Sequence, residues 1–300
     1  MTEASGSEAS GFPPQWRLRD GELERATPLT FLKVVYNAVA RLFHDRVGII
    51  LASAFVLILI WGQHGKVQLL GQLWDGWDPT AENPKQRDEV IPGIPWDQEW
   101  LSFLVGFLVL VVVPALIIKL IFKQRLADYG LGLPPRTRLR FALLSAVLLF
   151  AIGLVVFLSS AGKEEMRAEY PLYRGPFDSN LDFAVYELGY FLFFVVIEFV
   201  FRGYLLFGLY QVRDRDAPPG VGGAPGPLVF GYYAVLISML SYTAWHLGKP
   251  LDETWGTIVW GLVAAPVVLE SRSIVLIIVV HWLLNVALDL AIWQGWSFSL

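Results

Sequence analysis

Several residues that can titrate or hold a polar proton lie inside long apolar runs: Lys119, Glu187, Glu198, Arg202, His246, Glu270, His281, Asn285 and Asp289. A charged group in hydrocarbon costs about 2.5–3.5 kcal/mol on insertion scales, which makes each of them a candidate for function. Lys119 and Glu270 stand near the ends of their runs, where long side chains snorkel to the interface. Glu198 and Arg202 lie four apart in FFVVIEFVFRGYLLFGL, on one helix face and within reach of each other. The same spacing joins Tyr242 to His246 in SYTAWH and His281 to Asn285 in HWLLN. A buried ion pair could simply hold helices together, but a well-packed apolar pair usually does that as well.

One carboxylate, two imidazoles and one carboxamide from three apolar runs are the parts needed to hydrolyse an acyl bond with water. A carboxylate takes a proton from water, a histidine shares or orients that proton, and a histidine with an asparagine donates to the developing oxyanion. Glu198 is the expected base, His246 its partner, and His281 with Asn285 the oxyanion hole; Arg202 and Tyr242 support them. No cofactor is required. Zinc is the one metal the set would suit, since Glu198, His246 and His281 could ligate it with one position open. Glu187, eleven residues before Glu198, shares its helix face but lies about 16 Å away along the axis. It is expected at the outer cavity or the interface. Asp289, four after Asn285, either orients that carboxamide or is solvated at a helix end.

The elements that must position these groups are membrane helices. Apolar residues make up 55% of the 300, charged residues 17%, and twelve are Trp; the mean hydropathy is +0.52. Such a chain is neither disordered nor a secreted disulfide scaffold. The absence of Cys removes disulfides, thiolate nucleophiles and Cys-ligated zinc. With a net charge of −4 and no basic field, nucleic acid is not an expected partner. Runs of about twenty apolar residues predict an all-α bundle of about seven spans, six to eight. They fall near Val47–Gly62, Trp100–Phe122, Leu139–Ala161, Phe183–Tyr210, Leu228–Leu247, Thr257–Leu269 and Ser273–Trp293. The sixth, interrupted by Pro266, is expected to be broken or partial.

Residues 1–30 are polar and lack an apolar signal-peptide core, and read as a disordered cytoplasmic tail. Residues 31–122 hold a basic amphipathic stretch (Phe31–Arg46) and two spans separated by an acidic, Trp-rich loop; residues 123–300 hold the core. The stretch lies on the membrane surface or leads helically into the first span. Basic residues at Lys123, Arg125, Arg136, Arg138 and Arg140, with Arg213 and Arg215, place those loops and the N-terminus in the cytoplasm. The expected setting is a multi-pass protein of a bacterial inner membrane.

The three spaced pairs, in this order, resemble the CPBP family of glutamic-type intramembrane proteases, which includes CAAX-processing and bacteriocin-related enzymes. Its motifs, Glu-Glu-x-x-x-Arg, aromatic-x-x-x-His and His-x-x-x-Asn, match here at Glu198 with Arg202, Tyr242 with His246, and His281 with Asn285. LADYGLGLPP, Leu126–Pro135, looks like the segment that precedes the family's core. The resemblance implies peptide-bond hydrolysis in or near the membrane on a protein or peptide substrate, with the bilayer as the other partner. A prenylated C-terminal peptide, a bacteriocin leader or a sorting tail handled as by myxosortases would each fit. One departure stands out: the family's first Glu, its assigned base in some members, is Ile197. Either Glu198 takes that role, or the chain is an inactive membrane adaptor or immunity protein. A transporter with a Glu/His proton relay is a further alternative, though no inverted repeat supports it.

Overall fold

Where backbone polar groups have no water to bond, an apolar run must satisfy them internally, and helix is the way a single run does so. The computed structural model describes residues 25, 27–43, 45–61, 97–173, 176–212 and 229–296, and among these it is all-helical, without strands. The chain divides into two compact units, Met1–Ala52 and Ser53–Leu300. The acidic Trp-rich loop, Arg213 and Arg215, and nearly all of the N-terminal tail lie outside the described residues.

Helix α1, Pro28–Leu42, carries the expected amphipathic stretch, with Phe31, Leu32 and Val35 exposed. This helix ends at Leu42, and Asp45 caps the next one by accepting from the Gly48 amide at 2.7 Å. That helix, α2, is Arg46–Ile60. Helix α3 starts at Asp97 and, as Ser102–Ile121, is long enough to cross a membrane. The other four helices of that length are α4 (Arg136–Ser160), α6 (Asn180–Tyr210), α8 (Leu251–Ser271) and α9 (Val275–Trp293). Between them stand a short α5, Glu164–Glu169, and α7, Tyr233–Trp245. Five helices of spanning length and three shorter apolar ones, within α1, α2 and α7, agree with the expected all-α bundle. The sixth run differs: α8 continues through Pro266 as one helix of 21 residues. Without water competing for the freed carbonyl, neighbouring helices absorb a proline that would break a soluble helix.

Helix α6 is the axis of the larger unit, with 83% of its apolar window buried, against 11% for α4. Its second half, Phe199–Phe207, winds as a π-helix directly after Glu198 and is buried along its whole length. Small residues let the other helices close in, as packing in lipid requires. A Cβ on Gly153 of α4 would meet Leu284 of α9 at 2.6 Å, and one on Gly261 of α8 would meet Met239 of α7 at 2.7 Å. The Leu126–Tyr129 turn and Gly130, at φ 81°, lock one end of the bundle. Gly130 accepts from the Ile274 amide at 3.0 Å, and Gly132 from the Ser273 hydroxyl at 2.5 Å. At the other end α5 is held by ion pairs from Lys163 to Asp252 and from Glu169 to Lys249.

Candidate active site

Helices α4, α6, α7, α8 and α9 enclose a cavity of about 390 Å³. Its apolar wall includes Leu149, Ile152 and Val156 of α4 with Val259 and Val263 of α8. Its polar wall brings together Tyr170, Tyr242, His246, Glu253, His281 and Asn285. Of the six residues expected at the site, His246, His281, Asn285 and Tyr242 therefore meet on one surface, although they come from two helices far apart in sequence. Glu198 and Arg202 do not reach that surface; both are fully buried behind it.

Glu198 is held from three sides. Its Oε1 accepts from His281 Nδ1 at 2.7 Å and from the Trp260 indole at 3.2 Å. Its Oε2 faces Arg202 Nε at 3.5 Å, closing the expected one-turn ion pair. The Arg202 guanidinium also lies 4.1 Å over the Tyr242 ring, so the cation is balanced by a carboxylate and an aromatic face. With Nδ1 committed to Glu198, His281 keeps Nε2 as its remaining hydrogen-bonding atom. Its ring is packed between Phe194 at 4.9 Å and Trp260 at 5.1 Å, measured between centroids. Asn285, one turn on, donates to the His281 carbonyl at 3.0 Å, which fixes the carboxamide beside the ring.

His246 ends α7 as its C-cap, so the helix does not continue past Pro250. Its Nδ1 bonds the Tyr242 carbonyl at 2.9 Å, and the Tyr242 ring meets it edge-on at 4.5 Å. Its Nε2 faces not Glu198 but Oε1 of Glu253, at 3.5 Å. The sequence reading did not single out Glu253. It stands in the first turn of α8, just after the turn through Lys249 and Pro250 that folds α8 back along α7. Tyr170, from the segment after α5, donates to the same oxygen at 2.7 Å. Burial, and then the Glu253 charge, hold the Tyr170 phenol well above its ordinary value, so it is a donor throughout the neutral range.

Glu187 does not line the cavity as expected. It is buried on α6, where it interacts with Asp289, itself fully buried and not solvated at a helix end. Lys119 is exposed near the end of α3, and Glu270 pairs with Arg138 at 3.0 Å. The set Glu198, His246 and His281 does not gather as zinc ligands: one histidine turns to Glu253 and the other spends Nδ1 on Glu198. Among the described residues no three His, Asp or Glu side chains are grouped to hold a metal ion.

Comparison with known proteins adds one finding. Residues 180–287 match the family model described as Rce1-like, type II CAAX prenyl endopeptidase Rce1-like. Neither the curated proteins nor the solved structures contain a match to the chain. The matched segment runs from the start of α6 into α9 and holds every site residue from Glu198 to Asn285, so over that core the chain is similar to the Rce1-like CAAX prenyl endopeptidases.

Proposed function

We propose that this chain is an endopeptidase that hydrolyses a peptide bond in or beside the membrane, with water activated by a carboxylate–imidazole pair. The observation that supports it is one cavity lined by His246, His281 and Asn285 together with apolar side chains of α4 and α8. A peptide laid in that cavity would place its scissile carbonyl oxygen at the Asn285 amide, a donor fixed before the reaction begins, with His281 Nε2 a second donor in the imidazolium form that the Glu198 carboxylate would balance. His246 would hold the attacking water. Glu198, behind the wall and bonded through Oε1 to His281 and Trp260, would orient His281 rather than take the proton itself. The apolar wall suits a substrate with a lipid-like substituent, and the matched family name points to a prenylated C-terminal peptide. Substrate sequence aside, no step requires a metal or cofactor.

One observation favours the adaptor reading: Ile197, in the place of the family's first acid, lies on the cavity wall. An experiment in the native membrane separates the two. A deletion strain is complemented with wild type, His246→Ala or His281→Ala, and protein termini are compared by mass spectrometry at matched abundance. Tails left uncut in both variants and in the deletion strain establish the enzyme. Identical termini, with every variant rescuing the deletion phenotype, establish the adaptor.

A further inference from the structure

Because Glu198 sits behind the wall and position 197 is an isoleucine on it, a water bound there must find its base elsewhere. Among the described residues, two carboxylates lie on the wall, Asp252 and Glu253. Asp252 is paired with Lys163 and 44% exposed, as first-turn acids of a helix commonly are. Glu253, one residue on, is turned inward: its side chain is 14% exposed and lies between Tyr170 and His246.

We propose that Glu253, acting with His246, is the water-activating base, supplied from α8 in place of the acid that Ile197 replaces on α6. The proposal rests on the endopeptidase reading. Its first support is the pattern of donors and acceptors. His246 Nδ1 bonds a backbone carbonyl, which can only accept, so Nδ1 carries the proton and the neutral ring offers Nε2 as an acceptor. Glu253 Oε1 is an acceptor too, since it receives the Tyr170 hydroxyl. These two acceptors face each other at 3.5 Å, too long for a good direct hydrogen bond and suited to a donor held by both. A water donating one hydrogen to each keeps its lone pairs for the cavity. The second support is placement: both groups lie on the wall that also carries His281 and Asn285.

The step then balances. Glu253 takes one proton from the water as the oxygen bonds to the scissile carbonyl carbon. The carbonyl π pair moves onto oxygen, beside His281 and Asn285. As the C–N bond breaks, that proton passes from Glu253 to the departing nitrogen and the carbonyl re-forms. One water is consumed, the products are a carboxylic acid and an amine, and Glu253 and His246 return to their starting forms. Tyr170 acts through Glu253 and is a positioning residue.

The test uses the purified full chain in lipid–detergent micelles. The probe is a fluorogenic peptide ending in an S-prenylated Cys and three further residues, beside its unprenylated twin. Both kcat and KM are measured across pH for wild type, E253Q, E198Q and I197E/E253Q. Gln can still accept from Tyr170, so E253Q should melt with wild type. We expect E253Q to lose about 10²–10⁴-fold in kcat with KM little changed. Its residual rate should lack the limb in which activity falls as pH falls. Tyr170, His246 and Tyr242, which interact with Glu253 from other elements, remain in that variant, as does Lys249 5.5 Å over the Tyr170 ring, so a lost limb reports Glu253 itself. I197E/E253Q, which returns a carboxyl group to the same wall, should recover part of the lost kcat. The proposal is overturned if wild type cleaves while E253Q stays within a few-fold of it, or if E253Q loses activity with its pH profile unchanged. If wild type cleaves neither peptide, the endopeptidase reading falls and the proposal falls with it.

Discussion

The His281–Glu198 and His246–Glu253 pairs each set an imidazole beside a carboxylate on one cavity, at 2.7 and 3.5 Å, yet they are built for different work. The first is dry. Glu198 is fully buried, with His281 and Trp260 on one oxygen and Arg202 beside the other, and aromatic rings grip His281. It holds a fixed charge and a fixed ring, which is what stabilising a developing oxyanion needs. The second stands at the reversal between α7 and α8, beside the segment after α5, with a gap that a donor can enter. A pair that must pass a proton back and forth needs that looseness. Both pairs contain the same two chemical groups; the number of partners on each carboxylate and its distance from the wall set them apart.

The largest effect should come from breaking the dry pair. Arg202→Met leaves the Glu198 carboxylate buried without its cation, and such changes cost about 3–5 kcal/mol. Denaturation in micelles should show that loss. Glu198→Leu/Arg202→Met should recover most of the stability, because a packed apolar pair replaces a buried ion pair at little cost. Neither variant should cleave. A double variant as unstable as the single one would show that the pair stabilises the bundle beyond charge balance. The next effect is smaller. Trp260→Phe keeps the ring against His281 but removes the indole donor to Glu198, and a hydrogen bond to a charged group is worth about 1.5–3 kcal/mol. Stability and kcat should fall together, because at this pair the scaffold and the chemistry share the same bonds.

The residues of the dry pair were legible in the sequence, though their contact was not, and Glu253 of the loose pair was not legible at all, for a physical reason. Glu198 with Arg202, Tyr242 with His246, and His281 with Asn285 each lie four apart on one helix, and helical periodicity makes such neighbours readable. Glu253 meets His246 seven residues on, across the chain reversal between α7 and α8, where periodicity is lost. In LDETWG it looks like any solvated loop acid. The one available signal was Pro250, which ends one helix and opens the next, placing Asp252 and Glu253 in a first turn. That would have moved the start of the sixth run from Thr257 to Leu251. Contacts between helices, such as Trp260 with Glu198 or Glu187 with Asp289, leave no trace in spacing. Hydropathy found the spans because lipid imposes length and apolarity on each, yet it misjudged Pro266, since the rule that proline breaks a helix belongs to water.

The smallest effect sharpens the comparison furthest. Tyr170→Phe removes one hydroxyl from the loose pair and leaves the packing of the ring on Met166 and Leu288 in place. Stability should fall by no more than about 1.5–3 kcal/mol, the worth of a hydrogen bond to a charged group, and by less than in the Trp260 variant because Glu253 is not fully buried as Glu198 is. Glu253 would remain beside His246 but lose the donor that fixes Oε1, so kcat should fall about tenfold or less with KM unchanged. The pH profile decides between positioning and chemistry. Burial and the Glu253 charge hold the phenol well above its ordinary value, so it stays protonated through the working range and contributes no limb of its own. Tyr170→Phe should therefore lower the whole profile without removing either side. If the alkaline side vanished instead, Tyr170 would itself be passing a proton, and the loose pair would have to be read as a triad of Tyr170, Glu253 and His246.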